Sequence, residues 1–137
     1  MDTERRRLYR NGALILLISA LLGLVVASPV PHPNKWMAAH VGGLMVGLLL
    51  IGFGAVWPEL RLDPKPRALA LKMGLVASWA GLSLNIFAAL VNFPGPATDP
   101  GRTQDVVWQQ ALFFTLLVVI VPTTLGSFFL VWRGLRH

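Results

Sequence analysis

The chain has 137 residues, of which 55% are hydrophobic and only 13% charged. A soluble domain of this size has no core large enough for so much apolar surface, so the composition excludes an ordinary globular protein and points to the bilayer as solvent. The net charge of +6 would suit a nucleic-acid binder in a soluble chain, but the placement of the charges described below assigns it to membrane orientation; the absence of cysteine excludes disulfides and thiolate chemistry.

Arg5, Arg6, Arg7 and Arg10 precede the first apolar segment, Asn11 to Ser28, which closes on "VVAS". Such a segment can imitate a signal peptide, but Pro29 is a poor residue to follow a cleavage point, so a retained helix is expected. The Pro-rich "PVPHPNK" leads to the second segment, Trp36 to Trp57, and "PELRLDPKPR" leads to the third, Ala68 to Val91. The longest connection, "NFPGPATDPGRTQD", leads to the fourth apolar segment, Ala111 to Trp132, with Gln109 and Gln110 at its opening. Each segment approaches the ~20 residues that a helix needs to cross the hydrocarbon core. None shows the alternation of a barrel strand. The fold class is therefore all-α: an integral-membrane four-helix bundle forming one domain over residues 1–137, with helices near 11–28, 36–57, 68–91 and 106–132. Pro122 is expected to kink the fourth helix, with Thr123 and Thr124 re-satisfying the backbone groups it frees.

Of the twelve Lys and Arg, ten fall on one side of this topology: Arg5, Arg6, Arg7, Arg10, Arg61, Lys65, Arg67, Lys72, Arg133 and Arg136. Lys35 and Arg102 fall on the other. Both termini are therefore expected in the cytoplasm, the chain being a multi-pass protein of the inner cell membrane. Small residues recur at helix-packing spacing: Ser19, Gly23 and Ala27; Ala39, Gly43 and Gly47; Gly81, Asn85 and Ala89. Packing alone accounts for most such ridges.

All six acidic residues lie in tails, in loops or at helix ends, so no buried carboxylate is available for proton-coupled transport. His40 is the one ionisable side chain well inside a span, apart from Lys72, which can snorkel. It lies about 6–8 Å from the outer end of its apolar segment at 1.5 Å per residue. Asn85, at a similar depth, and Gln109 and Gln110 could meet it in the outer half of the bundle. Two readings compete: a packing hydrogen bond, for example to Asn85, and a functional imidazole. Residues 40, 43, 44 and 47 share a helical face. Gly43 and Gly47 make that face flat, which suits a planar macrocycle with His40 on its iron. Neither His32, in a loop, nor His137, at the last residue, is placed to be a second ligand, which would leave one iron position open.

At these residues the chain resembles a known family. "AAHVGGLMVG" (Ala38 to Gly47), "GAVWPELRLDP" (Gly54 to Pro64) and "WAGLSLNIFAALV" (Trp79 to Val91) are similar to the hydroxylaminobenzene mutases and, more distantly, the styrene oxide isomerases. The similarity runs from about residue 10 to residue 132, and the "WPELRL" close of the second segment is nearest the mutases. The resemblance implies a homotrimer of four-helix subunits with haem b between neighbours, ligated by the histidine that matches His40. It implies isomerisation of small aromatic substrates without net redox change, with ferric iron as Lewis acid on an epoxide oxygen in one branch and conversion of an arylhydroxylamine to an ortho-aminophenol in the other.

The chain departs from the family pattern at two points. Val46 stands where the family often has asparagine, and the third helix lacks the tyrosine of the epoxide isomerases, Tyr9 being the one tyrosine present. Asn85 is then the candidate polar contact to substrate. Leu44, Val46, Trp79, Leu82 and Phe87 are the expected apolar surroundings of His40. The leading expectation is a haem-dependent arylhydroxylamine mutase. An epoxide-to-aldehyde isomerase and a non-catalytic haem-binding membrane protein remain as alternatives.

Overall fold

The computed structural model describes residues 2–93 and 107–136, so the loop between the third and fourth helices, with Asp99, Arg102 and Asp105, and His137 lie outside the described residues. Four long α-helices make up the described chain: α1 (Thr3–Val26), α2 (Pro33–Val56), α3 (Pro64–Leu90) and α4 (Val107–Leu135), with a 3-10 turn, Trp57–Glu59, closing α2. All four are long and apolar enough to cross a membrane. They pack mainly in chain order, α1 on α2, α2 on α3 and α3 on α4.

Local sequence chemistry sets the boundaries. Asp2 caps α1, its Oδ1 accepting from Glu4 N at 3.2 Å, so the helix begins eight residues before the apolar run and takes Tyr9 into its second turn. Pro33 and Pro64 open α2 and α3, where a missing N–H costs nothing. His32, at φ 56°, makes the left-handed turn into α2. The expected disruption at Pro122 does not end α4, which continues through it. The Thr123 hydroxyl is shared between the carbonyls of Val119 and Ile120, not that of Val118, which lies four residues before the proline.

The small-residue ridges close the α1–α2 interface. A Cβ on Gly12 would lie 2.9 Å from the Gly47 carbonyl oxygen, and one on Gly47 would lie 3.0 Å from that of Gly12. The two backbones therefore touch where side chains would stand. Ala39, Gly43, Gly47 and Ala89 are buried within this one chain. These four positions are thus filled by packing within the chain, as the sequence analysis expected of most such ridges.

Most of the core lies toward one end. Leu8, Ile15, Leu50, Phe53, Trp57, Leu60, Ala70, Leu71 and Val131 cluster there with Leu82. Polar ties reinforce this end: Glu4 Oε2 accepts from Trp57 Nε1 at 3.0 Å and from Arg67 Nε at 2.8 Å. Arg5 Nε reaches the Gly54 carbonyl at 3.2 Å, and Arg61 N donates to the Gly134 carbonyl at 2.9 Å. The basic residues of the described chain other than Lys35 gather toward this end. At the opposite end packing loosens: no α1 residue after Ser19 is buried, and α4 buries only Ser127, Val131 and Gly134, all in its last third. His40 belongs to the loosely packed end.

Candidate functional site

His40 sits seven residues into α2, about 10 Å from the helix start at 1.5 Å per residue, deeper than the apolar run implied because α2 begins at Pro33. Its imidazole turns toward α1. Nδ1 is 2.6 Å from the carbonyl oxygen of Ser19. A carbonyl oxygen only accepts, so Nδ1 carries a proton, and in the neutral ring the lone pair is then on Nε2. Among the described residues Nε2 has no hydrogen-bond partner. Gly23 makes room for the ring: a Cβ there would lie 2.9 Å from His40 Cε1 and 3.0 Å from Nδ1. The imidazole is thus fixed in orientation and tautomer, half-buried, with one nitrogen available.

An imidazole held by a carbonyl at one nitrogen could ligate a metal through the other. Among the described residues no three His, Cys, Asp or Glu side chains gather to hold an ion. A lone imidazole therefore suits a metal that brings most of its own ligands, as in a macrocycle. The surroundings fit in part. Trp36 and Leu44, one turn to either side of His40 on α2, are half-buried. Gly43 and Gly47 do not offer the flat face expected of them. A Cβ at Gly43 would collide with Ser19 Oγ, and one at Gly47 would lie 2.8 Å from Leu16 Cγ, so α1 already covers both. That expectation is corrected: the two glycines seat α1 and are not a floor for a macrocycle.

Asn85 looks elsewhere. Its Nδ2 donates to the Gly81 carbonyl at 2.9 Å, and it packs on Gly42, where a Cβ would lie 3.0 Å from Nδ2. Residues 40 and 42 are about 200° apart around a helix, so His40 and Asn85 occupy opposite flanks of α2. The packing bond imagined between them is not formed. Gln109 and Gln110 are half-buried at the start of α4, with Gln109 Oε1 enclosed and without a hydrogen-bond partner. Nearby, Trp108 packs edge-on against Phe87 at 6.0 Å. No hydrogen bond joins any two of these four polar side chains among the described residues. Of the expected apolar set, Trp79 lies away from His40. Its indole donates to Asn11 Oδ1 at 3.0 Å, six residues from Asn85 toward the basic end.

Val46 packs toward Gly81, where a Cβ would stand 3.9 Å from Val46 Cγ2. Positions 42 and 46 of α2 thus meet 85 and 81 of α3, each pair one turn apart. Asn85 and Val46 thus lie about one turn apart on the same flank of α2.

Sequence reasoning missed Ser19, whose carbonyl sets the imidazole, and Gly23 and Gly42, whose missing side chains admit His40 and Asn85. The small-residue spacing flagged Ser19 and Gly23 as packing positions; no signal in a single sequence assigns a backbone carbonyl to a distant ring.

A family model described as styrene oxide isomerase matches residues 4–136, almost the whole chain. The chain belongs to the styrene oxide isomerase family. It is 23% identical over 134 residues to hydroxylaminobenzene mutase HabB of Ectopseudomonas oleovorans, an alignment covering 96% of this chain and 80% of that protein. It is 37% identical over 82 residues to hydroxylaminobenzene mutase HabA of the same organism, covering 56% of this chain and 58% of that protein. The family and both relatives are named for rearrangements, and this member of the styrene oxide isomerase family is an isomerase.

Proposed function

We propose that the chain is a membrane-embedded isomerase of small aromatic compounds that carries haem b through His40 Nε2 and converts arylhydroxylamines to ortho-aminophenols. The observation that supports it is the fixed imidazole: Nδ1–H committed to the Ser19 carbonyl at 2.6 Å, with Nε2 free of any hydrogen-bond partner among the described residues. Ferric haem would supply a Lewis acid that polarises a substrate heteroatom with no change of oxidation state. His40 would anchor it and Ser19 would keep the ligand basic. Asn85, with donor and acceptor atoms, would orient the polar end of the substrate. Among the described residues no tyrosine or carboxylate lies beside either side chain, and a substrate carrying its own N–H and O–H protons suits such a site better than an epoxide. Two alignments with hydroxylaminobenzene mutases support the same branch.

His40 and Asn85 occupy opposite flanks of α2, so a site that uses both needs a second copy. We take this as the ground for a homotrimer with haem between neighbours. Orientation follows the charges, with the densely basic end and both termini in the cytoplasm. A reporter fused at the C-terminus should behave as cytoplasmic, and an external C-terminus would reverse the orientation. The family model itself favours a second reading, epoxide isomerisation. Running phenylhydroxylamine and styrene oxide on one ferric sample, with no added reductant, decides between them. Faster formation of 2-aminophenol supports the proposal, faster formation of phenylacetaldehyde the second reading, and inertness toward both a haem binder without catalysis.

A further inference from the structure

The basic end of the bundle holds two adjoining clefts that the isomerase reading does not use. One, of about 420 Å³, is lined by Phe129, Trp132, Arg133 and Arg136. The other, of about 250 Å³, is lined by Arg61, Leu62, Asp63, Pro66 and Arg133. Arg133 borders both. Arg133, in the last turn of α4, and Arg136, just past its end, line the same cleft. Among the described residues neither guanidinium has a carboxylate or carbonyl partner; the ion pairs formed there both belong to Arg67. Arg136 instead stacks over the Trp132 ring at 4.6 Å.

We propose that this cleft holds the phosphodiester of an anionic phospholipid, gripped by Arg133 and Arg136 with Arg61 behind them. Paired guanidinium forks match phosphate geometry. A helix C-terminus ordinarily repels anions through its free carbonyls. Here the Gly134 carbonyl is occupied by Arg61 N at 2.9 Å and that of Arg133 by Arg136 N at 3.4 Å. Among the described residues Asp63 is the one acidic residue lining either cleft, against three arginines. The lipid source is favoured over free phosphate by what adjoins the charges. Trp132, Phe129, Leu125, Val121 and Val118 are 52%, 56%, 65%, 45% and 72% exposed. They run along one stripe of α4, a path for acyl chains longer than the ~15 Å of one leaflet's hydrocarbon. Basic pockets at the cytoplasmic ends of membrane helices, flanked by interfacial tryptophan, recognise lipid headgroups in this way.

The proposal depends on the chain lying in a bilayer but not on His40 or haem. The test places purified protein in phosphatidylcholine nanodiscs, titrates phosphatidylglycerol, and counts retained anionic lipid by native mass spectrometry. R133Q/R136Q should weaken retention about 30-fold, roughly fivefold for each charge-assisted bond to the phosphate. R6Q/R10Q, which removes the same charge from exposed positions lining neither cleft, breaks no such bond and should change it less than about twofold. Inorganic phosphate at millimolar concentration should not displace the lipid. Equal losses in both double variants would mean diffuse surface charge and overturn the site. Displacement by inorganic phosphate would overturn the lipid assignment. Should R133Q/R136Q fail to fold, W132A must still weaken retention severalfold, and unchanged binding there would also overturn it. Loss of the protein from membranes on alkaline extraction would instead strike the membrane reading itself.

Discussion

Replacing Gly23 with alanine tests how the candidate site is built. The new Cβ would lie 2.9 Å from His40 Cε1 and 3.0 Å from Nδ1. Carbon contacts settle near 3.5–4.0 Å, so the ring must retreat by about 0.7 Å or rotate. Retreat stretches or misaligns the 2.6 Å bond from Nδ1 to the Ser19 carbonyl. Outer partners of this kind contribute about 10–100-fold to metal affinity, and G23A should weaken haem binding by that factor. Overpacking should also cost about 1–3 kcal/mol of stability. The assay is titration of apo-protein with haemin, read at the Soret band, beside thermal unfolding in detergent. Gly52→Ala is the control, since a Cβ there meets nothing within 4 Å. Haem affinity in G23A equal to that in G52A would refute the role given to the α1 contact.

Removing the Glu4 carboxylate in E4A leaves Trp57 Nε1 and Arg67 Nε without the acceptor they share; unfolding free energy should fall by about 1.5–3 kcal/mol, toward the low end because the pair is partly exposed. Trp79→Phe loses the bond to Asn11 and part of the indole's packing on the core, and should cost about 1–3 kcal/mol without altering turnover. A fall in turnover there would return Trp79 to the site. Asn85→Ala should lower the rate with phenylhydroxylamine by about tenfold, the value of one hydrogen bond made to the reacting substrate, with the haem spectrum unchanged. Unaltered kinetics would reduce Asn85 to a packing residue.

The four helices were legible because the bilayer imposes a length, and apolar runs of that length cannot be missed. Their starts were less so. The first turns of α1 and α3 carry arginine and lysine, and it is Asp2 and Pro64, not hydropathy, that open those helices. His40 stood out as an ionisable group in a span, and that signal needs no neighbour. Its surroundings depend on which helix lies against which flank of α2, and a single sequence does not contain that. Gly43 and Gly47 were read as an open face because nothing in their spacing separates a face awaiting a ligand from one filled by α1. Asn85 was brought to His40 by depth alone; rotation about the helix axis places it on the other side.

The central claim is that His40 Nε2 holds a haem. The direct measurement is the absorption spectrum of detergent-purified protein, wild type beside His40→Ala and His32→Ala. The account predicts a Soret band with one haem per subunit in the wild type and in His32→Ala. It predicts loss of that band in His40→Ala, with the protein still in the membrane. A Soret band of full intensity in His40→Ala, or none in the wild type after reconstitution with haemin, would contradict it.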